Sequence, residues 1–211
     1  SDGEVLTSTG SGVAWEAASG ATDINGLSDA VSGITNFTRS LILGHQTTGT
    51  LDGANDNTAV GSTAMDAITS GTVNTAVGST ALTSNTTAAS NTAIGYGALA
   101  TATTGGSNTA VGRSALLDLT SGTSNVAVGA YAGQSVTTGA SNTFIGLQAG
   151  DATTTADSNT AVGRDALAAN TTGDFNVAVG FKTLDANTTA NANTALGNET
   201  LTANTTGTRN T

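Results

Sequence analysis

Hydrophobic and polar residues recur along this chain with a period of seventeen residues. If Asn57 is position one, every copy through residue 209 has an aliphatic residue at position four, glycine at position five and threonine at position thirteen. Position eight is alanine in the first seven copies, and position nine is leucine or methionine except at Gly133 and Gly150. We call each copy a coil. The position-one residues of the nine complete coils are Asn57, Asn74, Asn91, Asn108, Asn125, Asn142, Asn159, Asn176 and Asn193.

Incomplete copies flank these nine coils. Residues 40–56 stay in register, with Ser40 in place of the asparagine, and an eleventh copy starts at Asn210. Because a bare solenoid end exposes an unpaired edge, we expect the native chain to continue beyond Thr211. The sequence therefore divides into a cap or neck over residues 1–39 and a solenoid of about ten coils over residues 40–211.

The period predicts an all-β fold, a parallel β-solenoid of the β-roll or β-helix kind. Seventeen residues are too few for the two-helix repeats, which need about 33 or more. Positions one to five suit a short strand, and the Thr-Thr/Ser-Gly segment from position thirteen suits a second one. Equivalent residues then lie above one another in coils about 4.8 Å apart. Stacked asparagines form amide ladders in such structures, and we predict a ladder at position one.

Alternation along the first strand divides its residues between two faces, with position three on one and positions two and four on the other. We expect the aliphatic column at position four to lie inside the coil, together with the leucine column at position nine. Position three, which is alanine in eight of nine coils, would then face another chain of an oligomer. The interface candidates are Ala59, Ala76, Ala93, Ala110 and Phe144.

Two segments resemble known fibre repeats. Residues 57–65, Asn-Thr-Ala-Val-Gly-Ser-Thr-Ala-Met, and residues 90–99, Ser-Asn-Thr-Ala-Ile-Gly-Tyr-Gly-Ala-Leu, are similar to head repeats of trimeric autotransporter adhesins. They resemble the repeats of bacteriophage tail-fibre proteins still more, as do residues 3–15. The resemblance covers nearly the whole chain and implies a left-handed β-roll assembled as a homotrimer. The period departs from adhesin heads, whose repeats are usually shorter.

Residues 1–39 lie outside the repeat. Two short strands are predicted at residues 5–8 and 13–16, around a Thr-Gly-Ser-Gly turn, with Trp15 anchoring a small cluster. Farther on, four apolar residues follow the three-four-three spacing of a coiled-coil core. This spacing suggests a short trimeric neck, and an irregular cap over the first coil is the alternative. The four residues are Ile24, Leu27, Val31 and Ile34.

Gly133 and Gly150 remove two adjacent side chains from the leucine column. A gap that does not collapse costs about 2 to 5 kcal/mol per missing leucine. We expect Phe144, or an aromatic side chain of a neighbouring chain, to fill this gap. The alternative is that the two coils pinch inward and Phe144 packs at the trimer axis.

Composition narrows the possible functions. The chain has 5 Lys and Arg against 15 Asp and Glu, a formal charge of −10, and no cysteine. This balance argues against nucleic-acid binding, which needs a basic surface, and no apolar stretch is long enough to span a membrane. Because His45 is the single histidine and 9% of residues are charged, we expect no catalytic, cofactor or metal site and no enzymatic activity. Three copies of His45 around a trimer axis are the alternative metal site.

Two further patterns have structural explanations. Asp165, Lys182 and Glu199 share position seven of consecutive coils and should form an exposed charge column, worth at most about 1 kcal/mol per pair.

Asn-Thr-Thr glycosylation triplets begin at position twelve of their coils, so a role at a corner of the coil explains them without a sugar. These triplets begin at Asn85, Asn170, Asn187 and Asn204.

Three functions fit the repeat. We expect a structural segment of a phage tail fibre or related virion appendage, which supports attachment to a host. Its partners would be copies of itself in a homotrimer, other virion or fibre proteins and a host-surface receptor, with no nucleic acid and no membrane insertion. The alternatives are a bacterial trimeric adhesin head, at the cell surface or extracellular, and an ice-binding solenoid. The last is less favoured because the threonines at positions thirteen and fourteen would point to opposite faces of a strand.

Overall fold

The computed structural model describes residues 4–8, 13–17, 30–32, 40–43 and 52–211. Within these ranges every regular element is a β-strand. β1 (Glu4–Ser8) and β2 (Val13–Ala17) form an antiparallel hairpin, which confirms the two N-terminal strands predicted from the sequence. The predicted cluster around Trp15, three of the predicted neck residues and His45 lie outside the described side chains. The three neck residues are Ile24, Leu27 and Ile34.

Ten three-residue strands, one from each coil, form a single parallel sheet. Each strand pairs with the strand seventeen residues farther on, so that Ala59 lies beside Ala76. The predicted parallel β-solenoid of seventeen-residue coils is therefore confirmed. The strands are β4 (Leu41–Leu43), β5 (Thr58–Val60), β6 (Thr75–Val77), β7 (Thr92–Ile94), β8 (Thr109–Val111), β9 (Val126–Val128), β10 (Thr143–Ile145), β11 (Thr160–Val162), β12 (Val177–Val179) and β13 (Thr194–Leu196).

A further strand covers the N-terminal edge of this sheet. β3 (Ala30–Ser32) pairs antiparallel with β4, and Val31 lies opposite Ile42. The prediction of a coiled-coil neck is therefore wrong at Val31, which lies in a β-strand. The physical reason is that β4 would otherwise expose a row of unpaired backbone groups. Residues 30–32 therefore cap the sheet, as the alternative expected, but as a regular strand and not as an irregular segment.

The corners of each coil depend on left-handed backbone conformations at positions seven, nine and seventeen. In the second coil Thr80, Leu82 and Ser90 have φ angles of 59°, 50° and 61°. The glycine at position five has a different constraint, because a Cβ on Gly61 would lie 2.5 Å from the carbonyl oxygen of Gly78. This close approach between coils explains why position five is always glycine.

The predicted second strand is absent from the described coils, and the segment after position thirteen is a bend. The N–H groups of Thr69, Ser70 and Gly71 all donate to the carbonyl oxygen of Thr86, at 3.0, 3.1 and 3.1 Å. Successive N–H groups of an extended strand point in opposite directions, so three donors converging on one acceptor require a turn. Each coil therefore contains one strand.

The two faces of the strand are reversed from the sequence prediction. In every described strand of the parallel sheet the middle residue is buried, and Ala59 and Ala110 have no exposed surface. Position four points outward, with Val60 and Ile94 each 41% exposed. The prediction of an inward aliphatic column is wrong, whereas the leucines at position nine are buried as predicted, except Leu201, which is partly buried.

The interface prediction fails for the same reason. The position-three side chains lie in the core of their own chain, which leaves them no surface for a contact with another chain. The physical cause is the narrow interior: the wall opposite the sheet supplies leucine at position nine, and only a small residue fits at position three. The residues concerned are Ala59, Ala76, Ala93, Ala110 and Phe144, all 0% exposed.

Phe144 fills the gap that Gly133 and Gly150 leave in the leucine column, which confirms the first of the predicted ways of filling it. A Cβ on Gly133 would lie 2.7 Å from Cδ2 of Phe144, and a Cβ on Gly150 would overlap the other edge of the same ring. Leu116 in the preceding coil also borders the site, 3.0 Å from the Cβ position of Gly133. One phenyl ring on the sheet side therefore replaces two leucines on the opposite side, and the axial alternative for Phe144 is wrong.

This packing predicts a compensating set of substitutions. Gly133→Leu with Gly150→Leu should overpack the core and lower the free energy of unfolding by about 1 to 3 kcal/mol. Phe144→Ala alone should leave a cavity and cost about 3 to 5 kcal/mol. The triple variant carries the residues of the other coils and should recover most of the lost stability. Additive losses in the triple variant, measured by chemical denaturation, would contradict this account.

Candidate functional site

The position-one asparagines form a buried ladder through the solenoid. The side-chain Oδ1 of Asn108 accepts from the backbone N–H of Asn125 at 2.9 Å and from its Nδ2 at 3.1 Å. The same Nδ2 donates to the carbonyl of Gly139, within its own coil, at 2.8 Å. All nine asparagines are at most 1% exposed. The predicted ladder is therefore confirmed, and it bonds each coil both to its neighbour and across its own corner.

A second, shorter ladder explains the glycosylation triplets. Asn187 donates from Nδ2 to Oδ1 of Asn170 at 3.1 Å, and Asn204 donates to Asn187 at 3.2 Å. Asn85, Asn170 and Asn187 are fully buried, and each also donates to a carbonyl three residues on in its corner. The predicted corner role is confirmed, and in the folded chain these three amides are inaccessible to a glycosylating enzyme.

Hydroxyl groups at position thirteen also connect neighbouring coils. The Oγ1 of Thr69 donates to the carbonyl of Thr86 at 2.9 Å, and Thr154 donates to that of Thr171 at 3.0 Å. The same bond is present in the coils between them. These hydroxyls satisfy backbone carbonyls of the protein, so they do not form a free array on a flat face.

The outer face of the parallel sheet carries an exposed aliphatic stripe at position four. Five of its members are 37% to 41% exposed, and three others, Val111, Val162 and Val179, are partly buried. The ninth member, Leu196, belongs to the last strand of the sheet. Position two, on the same face, is threonine or valine. Monomeric soluble proteins rarely expose large contiguous apolar patches, so this stripe is the surface from which the function is argued below. The stripe consists of Val60, Val77, Ile94, Val111, Val128, Ile145, Val162, Val179 and Leu196.

The charged residues at position seven do not pair along the predicted column. Asp165 accepts from Nε of Arg164 in its own coil at 3.1 Å, and Lys182 Nζ lies 5.7 Å from the ring centroid of Phe181.

Asp151 is the acidic residue whose pKa is shifted near this column. Burial raises the pKa of Asp151; a hydrogen bond with Gln148 lowers it, and the charge of Asp165 raises it further. Because its folded-state pKa is raised, ionised Asp151 disfavours folding. This penalty is full above the raised pKa, declines as the pH falls below it, and is gone below the ordinary pKa of an aspartate.

Across the described part of the chain, no three acidic, histidine or cysteine side chains are grouped as a metal site would require. The same residues include no helix that is both long and apolar enough to cross a membrane. Comparison of the chain with protein-family models, with curated proteins and with solved structures gives no match. The function is therefore argued from the surfaces of the solenoid itself.

Removal of one ladder asparagine should destabilise the solenoid. Asn125→Ala would leave the N–H of Asn142 and the carbonyl of Gly139 without the bonds that Asn125 now provides. We expect a loss of about 1 to 3 kcal/mol in the free energy of unfolding. Asn198→Ala, at an exposed position-six site, is the matched control and should change stability by less than about 0.5 kcal/mol. Equal effects of the two substitutions would show that the ladder contributes nothing.

Proposed function

We propose that this chain is a rod-like segment of a homotrimeric fibre, of the type found in phage tail fibres, where it holds a receptor-binding tip away from the virion. The observation that carries the proposal is the aliphatic stripe on the outer face of the sheet. A solenoid that acts alone has no need of valine or isoleucine at this exposed position in every coil, since threonine or lysine would serve a solvated strand better.

The regularity of the stripe favours self-association over a single docking site. Each coil presents one aliphatic side chain at position four and advances the row by about 4.8 Å. Copies of the chain aligned in register would therefore repeat the same contact at every coil. The resemblance to trimeric fibre repeats supports three copies as the number, and the proposed location is the virion.

The remaining surface supports a structural role. Coil-to-coil bonds use the position-thirteen hydroxyls, which argues against ice binding through that threonine column. The proposed partners are the sister chains, other fibre proteins and a host-surface receptor. The alternative function is the head of a bacterial trimeric adhesin at the cell surface, which would use the same trimeric solenoid.

The assembly is tested by breaking the stripe with charge. Sedimentation equilibrium should give a trimer for the native chain and a monomer for the double variant Ile94→Asp, Val111→Asp, because burying unpaired carboxylates at an interface is costly. The control is Thr104→Asp with Ser121→Asp, at exposed position-fourteen sites of the same two coils, and it should remain trimeric. A monomeric native chain, or a trimeric double variant, would refute the proposal.

A further inference from the structure

Cationic and aromatic side chains are concentrated along one edge of the solenoid, at positions six and seven. Position six is serine in the first two coils and then reads Tyr96, Arg113, Ala130, Leu147, Arg164 and Phe181. Tyr96 is 59% exposed and Arg113 is also exposed. Three of the four described basic residues, Arg113, Arg164 and Lys182, lie on this edge. We call the group Tyr96, Arg113 and Tyr131 the tyrosine-arginine patch.

Arg113 is the centre of the patch. Its guanidinium carbon lies 5.4 Å from the centroid of the Tyr131 ring, and it has no ion pair with any described carboxylate. Asp118 is the one acidic residue between residues 67 and 150. A guanidinium that stacks on a ring keeps its N–H donors in its own plane, where they remain available to a planar anion. An exposed, stacked and unpaired arginine is unusual in a chain with a net charge of −10.

The backbone fixes the spacing of the patch. The N–H of Ser114 donates to the carbonyl of Tyr96 at 2.8 Å, and the N–H of Tyr131 donates to that of Arg113 at 2.9 Å. The three residues therefore belong to consecutive coils that are bonded to one another, about 4.8 Å apart. Tyr96 therefore lies one coil before Arg113 with its ring exposed, and the half-buried Tyr131 lies one coil after it and supports the guanidinium. The patch presents the Tyr96 ring and the Arg113 guanidinium without rearrangement.

We propose that the tyrosine-arginine patch binds a carboxylate-bearing sugar of an acidic polysaccharide that lies along the rod. A carboxylate accepts two parallel hydrogen bonds from a guanidinium, and the exposed ring of Tyr96 offers a surface on which the apolar face of a pyranose ring can stack. Nucleic acid fits less well, because its affinity depends on neutralising several phosphates and the patch holds one cation. The interaction uses residues of one chain and does not depend on the trimer.

A second, modified copy of the patch lies three coils farther on. Arg164 stacks on Phe181 at 5.3 Å, but its Nε already bonds to Asp165 at 3.1 Å. The two arginines are separated by about 14 Å along the rod, which allows one extended polymer to reach both. Since Asp165 competes for Arg164, this second group contributes less than the first.

Isothermal titration with short oligogalacturonates tests the proposal on the whole chain. Arg113→Ser and Tyr96→Ser introduce the residue that position six has in Ser62 and Ser79, so the coil tolerates both. Each should weaken binding about tenfold or more, the loss expected for a charge-assisted bond or a stacked ring. Arg113→Lys keeps the charge but not the planar fork, and it should also weaken binding.

Matched controls remove the same groups elsewhere. Arg209→Ser and Phe175→Ser change exposed residues at position seventeen, where serine is common, and they should bind oligogalacturonate as the native chain does. No binding by the native chain, or an equal loss in Arg209→Ser, would overturn the proposal. Equal binding of neutral malto-oligosaccharides would overturn the role of the carboxylate. Equal binding of polyglutamate or a single-stranded oligonucleotide would show that charge alone is recognised and would overturn the assignment to a sugar.

Discussion

The bond between one asparagine side chain and the next coil is the interaction on which the solenoid depends. One oxygen of Asn108 accepts both the backbone and the side-chain N–H of Asn125, while that side chain also satisfies Gly139. These buried polar groups have few other partners available in so thin a structure, and an unsatisfied one costs about 1 to 3 kcal/mol. The ladder therefore fixes the register between coils. It also offsets part of the cost of the left-handed corners, which is roughly 1 to 2 kcal/mol for each non-glycine residue.

Register in turn determines the core and the surface. Each coil encloses one layer of side chains, so a residue at position three meets the residues at position nine of its own and adjacent coils. This is why a single ring, Phe144, compensates for both Gly133 and Gly150. On the outer face of the sheet, where no core packing restricts the side chain, position four keeps an aliphatic residue in every coil. The stripe and the tyrosine-arginine patch are thus surfaces that the stacking does not require.

The seventeen-residue period was sufficient to predict the parallel solenoid and the asparagine ladder, and it identified the gap at Gly133 and Gly150 with Phe144 as one of the ways to fill it. Alternation separated the faces of the strand but did not show which was inward, because both carry apolar residues. The sequence did contain a clue to the inward face. One large side chain at position three, Phe144, coincides with two missing side chains at position nine, Gly133 and Gly150, which indicates that positions three and nine share one interior. The β-propensity of threonine suggested a second strand from position thirteen. The structure has a bend there, because three successive N–H groups donate to the single carbonyl oxygen of Thr86. The patch was missed because Tyr96, Arg113 and Tyr131 occupy variable positions and become neighbours only when the coils stack.

Deletion of one coil tests the central claim, that in-register stacking through the asparagine ladder holds the fold. Removal of residues 108–124 joins Ser107 to Asn125 and preserves the register, because each repeat contacts only its neighbours. Removal of residues 108–123 deletes one residue fewer and places Ser124 where an asparagine belongs. Thermal unfolding followed by circular dichroism should show one cooperative transition, at a modestly lower temperature, for the first variant. The second should lose cooperativity and amide-exchange protection across the altered junction. Indistinguishable unfolding and protection in the two variants would contradict the account.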